Sequence, residues 1–172
     1  MDKFSNYENI KNTMDARRMV DDELPEFDKL SCAKKVSRIR TQIKHYISAR
    51  NLASKYYKLE EKNSYEKYHK LRIQNEAFEL LSSTRAVKFL NRLSPEEFEA
   101  FVLHLKGEYD KTIFQKDKDK LMETYTYLCS ACVFCDTATD LMSEEVSNLR
   151  EECVCILNKA MGVEENESER TN

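Results

Sequence analysis

The stretch KKVSRIRTQIKHYISARNLASKYYKLEEKNSYEKYHKLR, residues 34–72, decides the fold class and holds the main charge anomaly of the chain. It lies within residues 30–93, which contain neither glycine nor proline, the two residues that most reliably interrupt a helix. Val36, Ile39, Ile43, Tyr46, Arg50, Ala53 and Tyr57 recur in steps of three and four, which places them along one stripe of a helix. Arg50 is the charged member of that stripe, where its stem can pack while its head stays in water. Lys34, Lys35, Arg38, Arg40, Lys44, Lys55 and Lys58 fall off the stripe and are expected around the solvated side. Eight lysines and four arginines meet only Glu60, Glu61 and Glu66, so the segment carries +9. The flanks answer it, with −3 over residues 1–33 and −9 over residues 73–172.

Outward from this stretch, toward the N-terminus, Ser5 and Glu8 have capping-box spacing, and Tyr7, Ile10 and Met14 follow at helical steps. A short helix to about Val20 is expected. Asp21-Asp22-Glu23-Leu24-Pro25-Glu26 then reads as a break, because proline disfavours helix in the residue before it. Toward the C-terminus, Asn63-Ser64 is the weak point, giving two helices or one kinked helix. Tyr65, Tyr68, Leu71 or Arg72, Phe78 and Leu81 make the next stripe. Ser82-Ser83-Thr84 reads as a polar interruption before a short helix with Val87, Phe89, Leu90 and Leu93.

Ser94-Pro95-Glu96-Glu97 is the strongest local signal. Serine suits the N-cap, proline the first helical position, and a glutamate at the third can reach back to the cap amide. Phe98, Phe101, Val102 and Leu105 form an apolar face, and Gly107 is expected to stop this helix after Lys106. Residues 116–120 alternate Lys and Asp and should be solvated. Leu121, Tyr125, Leu128, Cys132, Cys135, Thr139 and Met142 make another stripe. Ser143 with Glu144 and Glu145 suits a helix start. Val146, Leu149, Cys153, Ile156 and Ala160 make the last stripe, which Gly162 ends. Residues 163–172 are polar and acidic and are expected to be disordered.

At 172 residues with two glycines and two prolines, the chain has length for one sizeable core and too few turn formers for a sheet-rich fold. No apolar run approaches the roughly 18 residues of a membrane span, so no membrane partner is expected. Met1-Asp2-Lys3-Phe4-Ser5-Asn6 lacks the apolar core of a secretory signal. We therefore expect an intracellular protein, cytoplasmic or nuclear, with its six cysteines as reduced thiols.

Candidate chemistry is sparse. Cys129, Cys132 and Cys135 form C-x-x-C-x-x-C, with Cys153 and Cys155 downstream. In an extended knuckle that spacing signals metal. Here Cys132, Cys135 and Cys153 lie on the apolar stripes of consecutive helices, with Cys135 and Cys153 at similar heights about a turn at Ser143. Buried cysteine acts as a small apolar residue, so no metal and no cofactor is expected. His45, His69 and His104 are scattered, and no nucleophile elbow or phosphate-cradling glycine loop exists. The adjacent acids Glu96/Glu97, Glu144/Glu145 and Glu151/Glu152 point about 100° apart on a helix and are not dyads. No enzyme is expected.

The basic segment remains. Its cations are interleaved with Tyr46, Tyr56, Tyr57, Tyr65 and Tyr68, and together these can neutralise phosphates and stack on unpaired bases. The same pattern also suits a solvated face, or one neutralised by the acidic C-terminal half. The fold expected is all-α, an irregular antiparallel bundle of about five to seven helices forming one domain over residues 1–162, with a flexible link near 21–26. The function expected is a non-catalytic helical interaction or assembly protein that binds another protein through helix faces, with homo-oligomerisation open to it. The alternative is RNA or DNA binding by residues 34–72, carried by Lys34, Arg38, Lys44, Lys55 and Lys58.

Overall fold

The computed structural model describes residues 10–63, 66–138 and 144–160. Among them the chain is all-α, with six helices: α1 (Thr13–Asp28), α2 (Cys32–Asn63), α3 (Glu66–Leu90), α4 (Pro95–Thr112), α5 (Lys118–Ala138) and α6 (Glu144–Ala160). At 1.5 Å per residue, α2 is about 48 Å long. The expected weak point at Asn63 is where α2 ends. The Ser5 capping box, Ser143, Gly162 and the acidic tail lie outside the described residues.

The α2–α3 pair forms the most extensive interhelical contact. Its register is antiparallel. Glu60 meets Arg72 near the connection, the His45 and Phe78 rings sit 5.3 Å apart midway, and Arg38 and Arg85 line one groove near the start of α2. α5 packs against both of these helices, α4 against α5 and α2, α1 against α3, and α6 against α5. One apolar core gathers residues from all six, including Val20, Ile39, Ile43, Leu81, Phe89, Phe101, Leu105, Leu128 and Val146. The irregular bundle follows from stripes of unequal width, since each helix can cover only part of its neighbour.

Several local expectations change. The acidic run 21–26 is not a break, because α1 passes through Pro25. Proline removes one helical N–H, but Pro25 is exposed, so the carbonyl it leaves can face water. Tertiary contacts hold the helix on either side. Phe27 stacks on Phe89 at 4.2 Å between ring centroids. Asp21 pairs with Lys88, Glu23 with Arg85 and Asp28 with Arg92. The helix starts instead at Asn12, whose side chain accepts from the amides of Met14 at 2.9 Å and Asp15 at 3.0 Å.

Ser82-Ser83-Thr84 does not interrupt α3 either. The hydroxyls of Ser83 and Thr84 both donate to the Leu80 carbonyl, at 2.9 and 2.7 Å, so they turn back onto their own helix. Gly107 does not stop α4, which runs another turn to Thr112. Asp117 caps α5, accepting from the amide of Asp119 at 3.0 Å.

The start of α4 is as expected. Ser94 accepts from the Glu97 amide at 3.3 Å, and the Glu97 carboxylate accepts from the Ser94 amide at 3.1 Å. The same carboxylate accepts from Lys35 Nζ at 2.9 and 3.0 Å. Lys35 is therefore not on the solvated side: it is 8% exposed and ties the beginning of α2 to the beginning of α4. Tyr57, placed on the α2 stripe by its spacing, is 52% exposed, in a shallow cleft with Glu76 and Glu79 of α3.

Phe101 is wholly buried at the centre of α4. Phe101→Ala should cost roughly 3–5 kcal/mol in equilibrium denaturation, and a loss under about 1 kcal/mol would contradict that burial. The Glu97 carboxyl is held below its ordinary range, first by Lys35 and then by the Ser94 amide. Its contribution to stability is complete above an unfolded pKa of about 4.3 and is lost as pH falls through the lower folded value. Glu97→Gln should therefore be less stable than wild type near neutral pH, with the deficit closing in strong acid. A deficit equal at both ends would mean that the ion pair does not supply it.

Candidate functional site: the basic face of α2

Lys34, Arg38, Lys44, Lys55 and Lys58 are all exposed, but α2 does not present them as one patch. Lys34, Arg38, Thr41 and His45 follow one another in steps of four, three and four and share a face. Lys44, Lys55 and Lys58 lie roughly a quarter to a third of a turn round the axis. The first face looks into a groove between α2 and α3. The groove is about 550 Å³ and is lined by Lys34, Ser37, Arg38, Gln42, His45 and Arg85, among others. Lys34 and Arg38 have no ion-pair partner among the described residues. Arg85 donates to Glu23 through Nε at 2.9 Å and through one terminal nitrogen, so its charge is already answered. Partial desolvation at the groove wall, with Arg85 nearby, holds His45 below the ordinary imidazole value although the residue is exposed at its outer edge.

The second face is different. Lys44 reaches across to α5, where its Nζ sits 5.9 Å from the centre of the Tyr127 ring. Arg50 turns back on its own helix, donating to the Tyr46 hydroxyl at 2.7 Å. The tyrosines are mostly committed: Tyr46 packs edge-on to Phe134 at 5.0 Å, and Tyr56 stacks on Tyr68 at 6.4 Å. Tyr65 lies outside the described residues. Beyond the connection, Arg72 donates to Glu60 and Glu76, both at 2.7 Å, and His69 sits 2.7 Å from Glu60. Among the described residues, Glu76 and Glu97 are the acids of the C-terminal half that form ion pairs with this segment, to Arg72 and Lys35. The acids of α1 answer the cations near the end of α3. Sequence reasoning missed Gln42 and Arg85 as groove residues, because only the α2–α3 pairing brings them together.

The cysteines form a second cluster. Cys132, Cys135 and Cys153 are fully buried, as their stripes require, and all six thiols are free. Across the α5–α6 pair Cys129 meets Cys153. The Cys153 thiol donates to the Cys129 sulfur, which favours the Cys129 thiolate, and Arg150 adds to the effect. Burial pushes Cys132 up to about 12 and raises Cys135 as well. Arg150 also pairs with Asp136, fixing the same two helices. Among the described residues, no cluster of His, Cys, Asp or Glu is arranged to hold a metal ion. No helix there is long and apolar enough to cross a membrane.

Iodoacetamide applied to the folded protein should modify Cys129 well before Cys132, Cys135 or Cys153, and at lower pH than an ordinary thiol. Peptide mapping that finds all four modified at one rate would contradict this assignment.

No family model, curated protein or solved structure matches the chain, so what it does has to be argued from these residues.

Proposed function

We propose that this protein is a non-catalytic helical interaction protein that docks another protein, using the outer side of α4 and the turn that follows it. The observation that carries the reading is a pair of neighbours, Ile113 and Phe114, which are 66% and 86% exposed. Ile113 caps α4 in helical backbone geometry, so the pair stands at the helix end instead of folding back on the core. Leu103 is also exposed, and Gly107 lies one turn beyond it. A Cβ added at Gly107 would meet nothing within 4 Å, so this side of α4 is uncovered. Isolated exposed apolar residues are ordinary, but a phenylalanine standing in water beside an isoleucine is an anchor shape. The partner that fits a convex aromatic knob is a protein with an apolar cleft. Lys111 and the alternating charges of residues 116–120 supply a polar rim around the knob.

The alternative, binding to RNA or DNA along the whole of residues 34–72, is weakened by the split of its cations between two faces. What favours a phosphate ligand is confined to the groove that holds Lys34 and Arg38.

A photo-crosslinking residue at position 114 of the full chain, expressed in its own cells, should give a discrete heteromeric product. Phe114→Ala should abolish co-purification of that same partner. The association should survive high salt, since apolar docking is not screened. A purified chain that only crosslinks to itself, or a partner retained by Phe114→Ala, would sink the reading.

A further inference from the structure

We propose that the groove between α2 and α3 is a binding site for a phosphate-bearing ligand of nucleotide size, its phosphate held by Lys34 and Arg38. Three independent features converge there. The first is charge. Lys34 and Arg38 stand one turn apart on the same face of α2, without ion-pair partners among the described residues. Two cations at that spacing can share one phosphate, and arginine can grip it with two parallel N–H donors. Ser37 lines the same groove, and its hydroxyl makes no side-chain hydrogen bond among the described residues. The Thr41 hydroxyl hydrogen, by contrast, is used on the Ser37 carbonyl at 2.9 Å.

The second feature is Gln42. It is 5% exposed, it lines the groove, and its Oε1 finds no hydrogen-bond partner among the described residues. Buried polar groups are nearly always satisfied, so an orphan beside a pocket marks a place where a ligand supplies the missing half. An acceptor oxygen calls for an N–H or O–H donor, and a nucleoside offers several, from its sugar hydroxyls and base, at a distance from its phosphate. The third feature is the wall made by the His45 and Phe78 rings. With the imidazole neutral, the wall suits a flat base and does not add a third unpaired charge. The volume of the groove lies within the usual range for small-ligand sites. Glu23 lies behind Arg85 and occupies two of its N–H groups, so Arg85 completes the rim without dominating it.

This inference stands apart from protein docking at Phe114, in the turn after α4, and does not depend on it. Calorimetry of the full chain with inorganic phosphate and with AMP, and fluorescence anisotropy with labelled oligouridine, all at low salt, test it. AMP or oligouridine should bind, and Lys34→Gln with Arg38→Gln should weaken that binding about tenfold or more. Lys55→Gln with Lys58→Gln, on the other face, should not. Gln42→Leu should weaken AMP and oligouridine while leaving any phosphate binding unchanged. For the oligouridine complex, Arg38→Gln should flatten the salt dependence by about 0.7 in the logarithmic slope. Binding of oligouridine without AMP assigns the phosphate to a nucleic-acid strand, and binding of both admits free nucleotides. Failure of both AMP and oligouridine to bind overturns the proposal, as does equal weakening by the Lys55/Lys58 variant. Indifference to Gln42→Leu overturns the nucleotide assignment. Circular dichroism of each variant establishes that the fold is retained.

Discussion

Ile39 and Ile43 are completely buried in a helix that carries nine of the 28 lysines and arginines of the protein. That narrow apolar stripe has to be covered without burying the lysines beside it, and this constraint organises the bundle. A helix of 32 residues with a thin stripe cannot sit at the centre of a ring of neighbours. It accepts α3 along one side, α4 near its start, where Lys35 meets Glu97, and α5 near its middle, where Lys44 meets Tyr127 and Tyr46 meets Phe134. Tyr57 lies beyond those α5 contacts and stands in water although its spacing matches Ile39 and Ile43.

Electrostatics then sorts the remaining helices. The cations near the end of α3 attract the acids of α1, and α1 runs the same way as α3, from Ile10 beside Ile73 and Ala77 to Phe27 and Asp28 beside Phe89 and Arg92. Each pair is partly solvated and contributes modestly. Their value lies in register, because a slip by one turn would bring Phe27 off Phe89. Glu97 does a related job in one carboxylate, closing the cap of α4 and holding the Lys35 ammonium of α2. Burying a lysine is costly unless it is paired, and this pairing explains why Lys35 alone among the α2 lysines turns inward.

The surfaces left over are of two kinds. Around Leu103, Ile113 and Phe114 the chain exposes apolar groups where a shorter or differently turned connection would have hidden them. Around Lys34 and Arg38 it exposes charge beside Gln42, whose buried Oε1 has no hydrogen-bond partner among the described residues. The first is chemistry for a protein cleft and the second for a phosphate, and they sit on different helices. Cys129 and Cys153 show the same dependence on packing, since a sulfur that is ordinary in isolation becomes a better thiolate when a second thiol donates to it.

The sequence by itself determined the helices, the buried faces and the capping box of α4. Steps of three and four at Phe98, Phe101, Val102 and Leu105, or at Leu128, Cys132 and Cys135, are intramolecular geometry that any helix must express. The capping serine and its glutamate act within one turn. Where a helix ends was less legible. Pro25 and the Ser82-Ser83-Thr84 run carry local penalties of the size that tertiary contacts such as Phe27 on Phe89 can outweigh. Only the tertiary structure decided which cations share a groove. Lys34 and Arg38 are legible as neighbours, but Gln42 and Arg85 join them through the antiparallel pairing of α2 with α3. That pairing acts over a sequence separation that no local pattern records. The exposure of Phe114 was likewise decided by the fold, because a phenylalanine beside charged turn residues reads the same whether its ring packs inward or stands in water.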